Sequence, residues 1–110
     1  MVPLQATNLV AEAAVLGLAP PAVNLFGLTA TLTLTSTGDP IAGQTVVMTL
    51  PSASGPPTVV CSDTTDTNGV ASCNGSAQLL QVTLDLGYTA TFDGTATLEP
   101  ATDDGPLIGL

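Results

Sequence analysis

The side chains with the most chemistry in this chain are Cys61 and Cys73, in the stretch Val59 to Cys73, VVCSDTTDTNGVASC. If Thr67 is the midpoint of a hairpin, Thr65 pairs with Gly69, Asp63 with Ala71 and Cys61 with Cys73, so both sulfurs lie on one face. Opposed residues of an antiparallel pair hold their Cβ atoms about 4.5 to 5.5 Å apart, so a disulfide closes with slight adjustment. Asp66, Asn68 and Gly69 supply the turn, since Asn and Gly tolerate the positive φ of a tight hairpin. A redox-active pair calls for C-x-x-C spacing or a cation that lowers a thiol pKa, and the sequence offers neither. A structural disulfide is expected.

The acids are the other candidates. Asp63, Asp66 and Asn68, and separately Asp103 and Asp104, carry oxygens that suit Ca²⁺. Their spacing is not that of an EF-hand, and turn chemistry accounts for Asp66 and Asn68. No metal and no cofactor are expected. Glycoside hydrolysis needs two carboxylates converging on one bond, whereas the nine acids of this chain are scattered. Asn74-Gly75-Ser76 is a glycosylation sequon by pattern alone.

Composition argues against more classes than any motif supports. Charged residues are 8% of the chain, all nine are acidic, and Lys, Arg and His are absent, which gives a net charge of −9. Without cations the chain cannot neutralise phosphates, and its charge repels polyanions and anionic lipid, so neither nucleic acid nor membrane is an expected partner. A Ser-His-Asp or Cys-His arrangement cannot be built, a P-loop lysine is missing, and two cysteines cannot assemble a zinc site. General acid–base work would fall to a carboxylate of strongly raised pKa, so the residues argue against an enzyme. Paired cysteines favour an oxidising setting, although a protein released from the cytosol oxidises later.

At 110 residues one domain is expected. The N-terminal MVPLQATNLVAEAAVLGLAPP lacks the basic start of a signal peptide and carries Glu12 before Pro20 and Pro21, so it reads as neither secretion signal nor membrane span. Residues 1–22 are expected to form an arm or a first edge strand. Leu9, Val10, Ala13, Ala14 and Leu16 also fit a short helix, and the two prolines impose an extended break. From Gly27 to Thr35 the alternation is regular, with Leu28, Ala30, Leu32 and Leu34 on one face and threonines on the other. Val46, Met48 and Leu50 continue it inward after the STGDP turn. Beyond the cysteine hairpin, Leu79 to Leu86 and Tyr88 to Phe92 alternate again, with Phe26 and Phe92 expected in the core. A last strand is expected from Thr95 to Leu98, and residues 101–110 are read as a tail. Short strands and turn signals roughly every 8 to 12 residues predict an all-β antiparallel sandwich of about seven strands over residues 23–100.

The order GLTATLTLTSTGDPIAGQTVVMTL, then T-T-D-x-N-G-V-A at Thr64 to Ala71, then YTATFDG at Tyr88 to Gly94 resembles the bacterial Ig-like (Big) domains of surface adhesins and phage structural proteins. It covers about Leu28 to Pro100. The resemblance implies an immunoglobulin-like Greek-key sandwich. It implies inward-facing Ala71 and Cys73, with Val59 and Cys61 opposite, whereas pattern alone leaves open that Val60 and Val70 are inside. It also implies that Tyr88 is a corner tyrosine whose hydroxyl caps backbone. The ends depart from the repeat pattern. The family is a spacer and display module that carries different binding activities, so the likeness speaks to fold more than to function.

Three functions follow as expectations. The first is a non-enzymatic structural protein that decorates or cements a larger assembly, such as a capsid decoration protein on a virion surface. The second is a module of a secreted or cell-surface adhesin, and the third a carbohydrate-binding domain. Read as a free-standing open reading frame headed by Met1, with no export signal, the chain fits the first. Its partners would be capsid or other virion proteins, or further copies of itself; a glycan is compatible with the composition but not indicated by it. Contact is expected through the apolar ends, at Leu4, Leu9, Val10, Leu16, Leu107 and Ile108.

Overall fold

The computed structural model describes residues 4–19, 22–50, 57–78 and 87–109. It consists of β1 (Thr7–Ala11), β2 (Ala14–Ala19), β3 (Ala22–Leu34), β4 (Thr45–Leu50), β5 (Thr58–Thr64), β6 (Val70–Gln78), β7 (Gly87–Phe92) and β8 (Ala101–Gly109), with no helix among the described residues. The chain is an all-β sandwich. Period-two alternation fixes its core: Leu28, Ala30 and Leu32 of β3, Val46, Met48 and Leu50 of β4, and Tyr88, Ala90 and Phe92 of β7 are all buried.

The pairing is one continuous ladder folded into two layers. β3 is its long axis: β6 pairs along one edge, while β1 and β2 divide the other, β2 beside Ala22–Phe26 and β1 beside Ala30–Leu34. From β2 the ladder runs through β8, β7 and β4 to β5. Every pair is antiparallel except β2 with β8, joined in parallel over Ala14–Leu16 and Leu107–Gly109. The free ends of this path are β6 and β5.

Several sequence expectations are corrected here. The segment Val59–Cys73 is not a hairpin ladder, because β5 pairs with β4 and β6 pairs with β3. Only the turn is hairpin-like, and the strands then part into different layers. Beyond the expected hairpin, β6 runs on, with Gly75–Gln78 opposite Ala22–Leu25. The Thr95–Leu98 strand is a turn, closed by Thr95 N–H donating to the Leu98 carbonyl, with Leu98 bridging to Gln5. The last strand is β8, in the segment read as a tail. The sandwich therefore extends beyond the expected boundaries at residues 23 and 100, from β1 to β8.

Two bulges explain further differences. The β3–β6 register shifts between Leu25 and Leu28, with Gly27 at φ 72°, so the buried set changes parity from Val23 and Leu25 to Leu28, Ala30 and Leu32. Phe26 is left outside at 46% exposure, against the expectation of a core ring. In β5 the register passes from Met48–Cys61 to Thr49–Val59, which makes Val60 the extra residue. Val60 and Cys61 both pack against the core, and Val59 is turned out at 61% exposure, not inward as the resemblance implied. Leu79–Leu86, Pro20 and Pro21 lie outside the described residues.

Candidate functional site

The two ends of the rolled ladder meet at a seam between β5 and β6, and the cysteines close it. The Cys61–Cys73 disulfide spans a Cα–Cα distance of 6.2 Å and joins one layer to the other. Two more contacts cross the seam. Asp63 Oδ2 accepts the Ser72 N–H at 2.9 Å, and the backbone of Gly75 lies so close to Val60 that a Cβ there would stand 2.5 Å from the Val60 carbonyl oxygen. Glycine is needed at 75 for close approach, not for its φ.

The turn above the seam is built by Asp66. Its Oδ1 accepts the N–H groups of Asn68 at 2.8 Å and Val70 at 3.1 Å, and its carbonyl accepts that of Gly69 at 2.9 Å. Gly69 has φ 77° and rests against the Leu32 carbonyl, where a Cβ would come within 2.5 Å. Buried Thr65 anchors the base of the turn, accepting the Gln44 N–H on its hydroxyl at 3.0 Å. Asp63 and Asp66, considered for Ca²⁺, are thus engaged with backbone donors. Among the described residues no group of three or more acids or cysteines is placed to hold a metal ion.

On the far side of the sandwich, Tyr88 locks the point where β1 gives way to β2. Its hydroxyl lies 2.5 Å from the Glu12 carbonyl oxygen and 3.0 Å from that of Thr29, and it receives the Thr29 N–H at 3.4 Å. The ring covers Gly105 of β8, where a Cβ would fall 2.6 Å from Cε1. Burial raises the phenol's pKa, and the charges of Glu12 and Asp103 push the same way, while hydrogen bonding with the Thr29 and Glu12 backbone acts against them. Beside it, Asp103 Oδ2 accepts the Ala11 N–H at 2.7 Å and so bridges β1 to β8 where no ladder joins them. Asp104 Oδ1 accepts the Thr89 hydroxyl at 2.7 Å.

Sequence reasoning missed this bridging role of Asp103. The signal in the sequence was the adjacent acids Asp103 and Asp104, in a segment read as a tail.

The expected contact residues do not form one surface. Leu9, Leu16 and Leu107 belong to the core, because β1, β2 and β8 are sheet strands whose inward positions these leucines occupy. Leu4 and Val10 are exposed. Ile108 sits in β8 opposite Val15, and its side chain lies outside what is described. Phe26 and Val59 join Leu4 and Val10 as exposed large apolar residues. A shallow groove of 280 Å³ opens at the β7–β8 end, lined by Thr91, Phe92, Asp93, Pro100, Ala101 and Thr102. It presents one carboxylate, where glycoside hydrolysis uses two.

Fold and site together define a disulfide-closed β-sandwich whose polar side chains hold its own strands. No family model matches the chain, no curated protein matches its sequence, and no solved structure matches it.

Proposed function

We propose that this chain is a non-enzymatic, Ig-like structural module that decorates or cements a larger assembly, with a phage virion as its setting. One observation carries the reading: the cysteines, the tyrosine and the acids Asp63, Asp66, Asp103 and Asp104 are engaged with backbone and neighbouring strands. Asp63, Asp66 and Asp103 accept backbone N–H groups, Asp104 accepts a threonine hydroxyl, Tyr88 donates to backbone carbonyls and the cysteines bond each other. What faces solvent is acidic and threonine-rich, with Glu12, Asp39, Asp93 and Glu99 exposed, and the chain has no Lys, Arg or His to work beside them in turnover.

The strand order supports the Ig-like part. Ig-like sandwiches pair their second strand with the first and fifth, and their sixth with the third and seventh. Counting β1 and β2 as one broken first strand, β3 pairs with β1, β2 and β6, and β7 pairs with β4 and β8. The fourth strand, β5, joins the third and not the fifth, which departs from the constant-type order.

The contact residues now read as Leu4, Val10, Phe26 and Val59, the large apolar side chains left exposed among the described residues. Val10→Asp combined with Phe26→Asp should keep the far-UV spectrum and melting curve of the fold yet remove the chain from its assembly. Undiminished incorporation of that variant defeats the reading. The exposed Phe26 ring favours carbohydrate binding as the second reading, since sugar sites use aromatic platforms. Glycan titration followed by NMR, with Phe26→Ala as control, separates it from the first.

A further inference from the structure

We propose that β1 and β2 exchange between two copies of this chain, so that each copy's N-terminal strands complete the sandwich of the other. This inference goes beyond the assembly reading and stands whether or not that assembly is a virion.

The argument begins with the connection between β2 and β3. The register places Ala19 opposite Ala22, which leaves only Pro20 and Pro21 to join two antiparallel strands. Favoured two-residue hairpin turns need positive φ at one or both central residues. A proline ring fixes φ near −65°, and a proline also drives the residue before it toward extended backbone. Judged by residue type alone, this pair opposes a closed hairpin and favours a straight continuation of β2 into β3. Short hinges whose chemistry resists closure are those that invite exchange.

What the arm carries makes the exchange specific. Leu9, Ala11, Ala14 and Leu16 are buried in the core, so an arm that leaves its own body uncovers an apolar slot that only a segment of the same shape refills. The slot also has matched backbone and polar partners: β3 along both halves of the arm, three residues of β8 beside β2, and Asp103 for the Ala11 N–H. An identical arm from a second copy reproduces each of these contacts. The balance between closed and exchanged forms then falls to the hinge, and by residue type two prolines favour the second. Charge sets the conditions, since two chains of −9 repel and salt will favour the dimer.

The test uses the full chain at several concentrations and in raised salt, by size exclusion with light scattering. Wild type is expected to form a dimer. Pro20→Asn with Pro21→Gly installs a favoured hairpin turn and is expected to shift association at least tenfold toward monomer. A wild type that stays monomeric throughout, or a variant that dimerises equally well, overturns the proposal. A second variant reports where the arm sits. Val10 and Thr31 are opposed on the outer face of β1 and β3, so V10C with T31C places a cross-link there without touching the core. Oxidation of the dimer should give covalently paired chains on a non-reducing gel, with the disulfide-linked peptide that joins positions 10 and 31 identified by mass spectrometry. Cross-links confined to single chains mean a dimer without exchange and equally overturn it.

Discussion

Replacing Tyr88 with phenylalanine isolates one oxygen atom. The ring still covers Gly105, but the Glu12 carbonyl loses its hydroxyl donor, and the Thr29 N–H loses its acceptor. The Thr29 carbonyl keeps the Glu12 N–H at 2.8 Å, so the loss falls chiefly on Glu12. A buried polar group left unpaired costs about 1 to 3 kcal/mol. For a domain of this size that corresponds to a fall of roughly 4 to 12 °C in Tm. Urea titration should move the midpoint without changing the slope.

The same variant has a second signature, in alkali. The chain has one tyrosine and no Lys, Arg or His, and both cysteines are in the disulfide, so Tyr88 is the only side chain left to titrate above neutrality. Its folded pKa is raised above the usual value of about 10 by burial first, so the folded state favours the protonated phenol. Stability from this preference is therefore complete below pH about 10 and declines as pH rises through the folded pKa, with a slope of up to about 1.4 kcal/mol per pH unit. Wild type should lose stability in that window while Tyr88→Phe stays flat. Equal urea midpoints for the two proteins at neutral pH, together with parallel alkaline profiles, would refute the hydroxyl's assigned role.

Three further outcomes follow from the same contacts. Gly105→Ala puts a methyl 2.6 Å from the Tyr88 ring and 2.7 Å from the Glu12 carbonyl oxygen, and should destabilise by about 1 to 3 kcal/mol in urea unfolding. Cys61→Ser with Cys73→Ser opens the seam between the layers; with a separation of 12 residues the loss should be about 3 kcal/mol, and amide exchange should rise first in β5 and β6. Added sodium chloride should raise Tm, because every pair of side-chain charges in a chain without cations is repulsive and is screened within about 8 Å at physiological ionic strength.

The alternating strands were legible in the sequence because period two needs no knowledge of partners. The buried faces of β4, of β7 and of β3 from Leu28 to Leu32 follow directly from residue order. Pairing was another matter. The alternation of Val59–Cys73 is the same whether its halves bond each other or strands in opposite layers, so the sequence supported a hairpin and a seam equally well. In β8, Asp103, Asp104, Gly105 and Pro106 looked like strand breakers. The first two have specific donors at Ala11 and Thr89, and Gly105 makes room for a ring 17 positions earlier. Phe26 was misjudged because Gly27 shifts the register of β3, a one-residue change that composition does not reveal. The disulfide and the turn residues were legible as local chemistry. The Tyr88 site depends on three strands meeting, and only its tyrosine stood out.

The central claim, that this sandwich is a structural member of a larger assembly, is tested most directly by quantitative mass spectrometry of fractions from the native source. The account predicts the chain in purified particles, at a fixed ratio to the major structural proteins and retained through a salt wash. Recovery from a secreted or cell-wall fraction, with none in the particles, would contradict it.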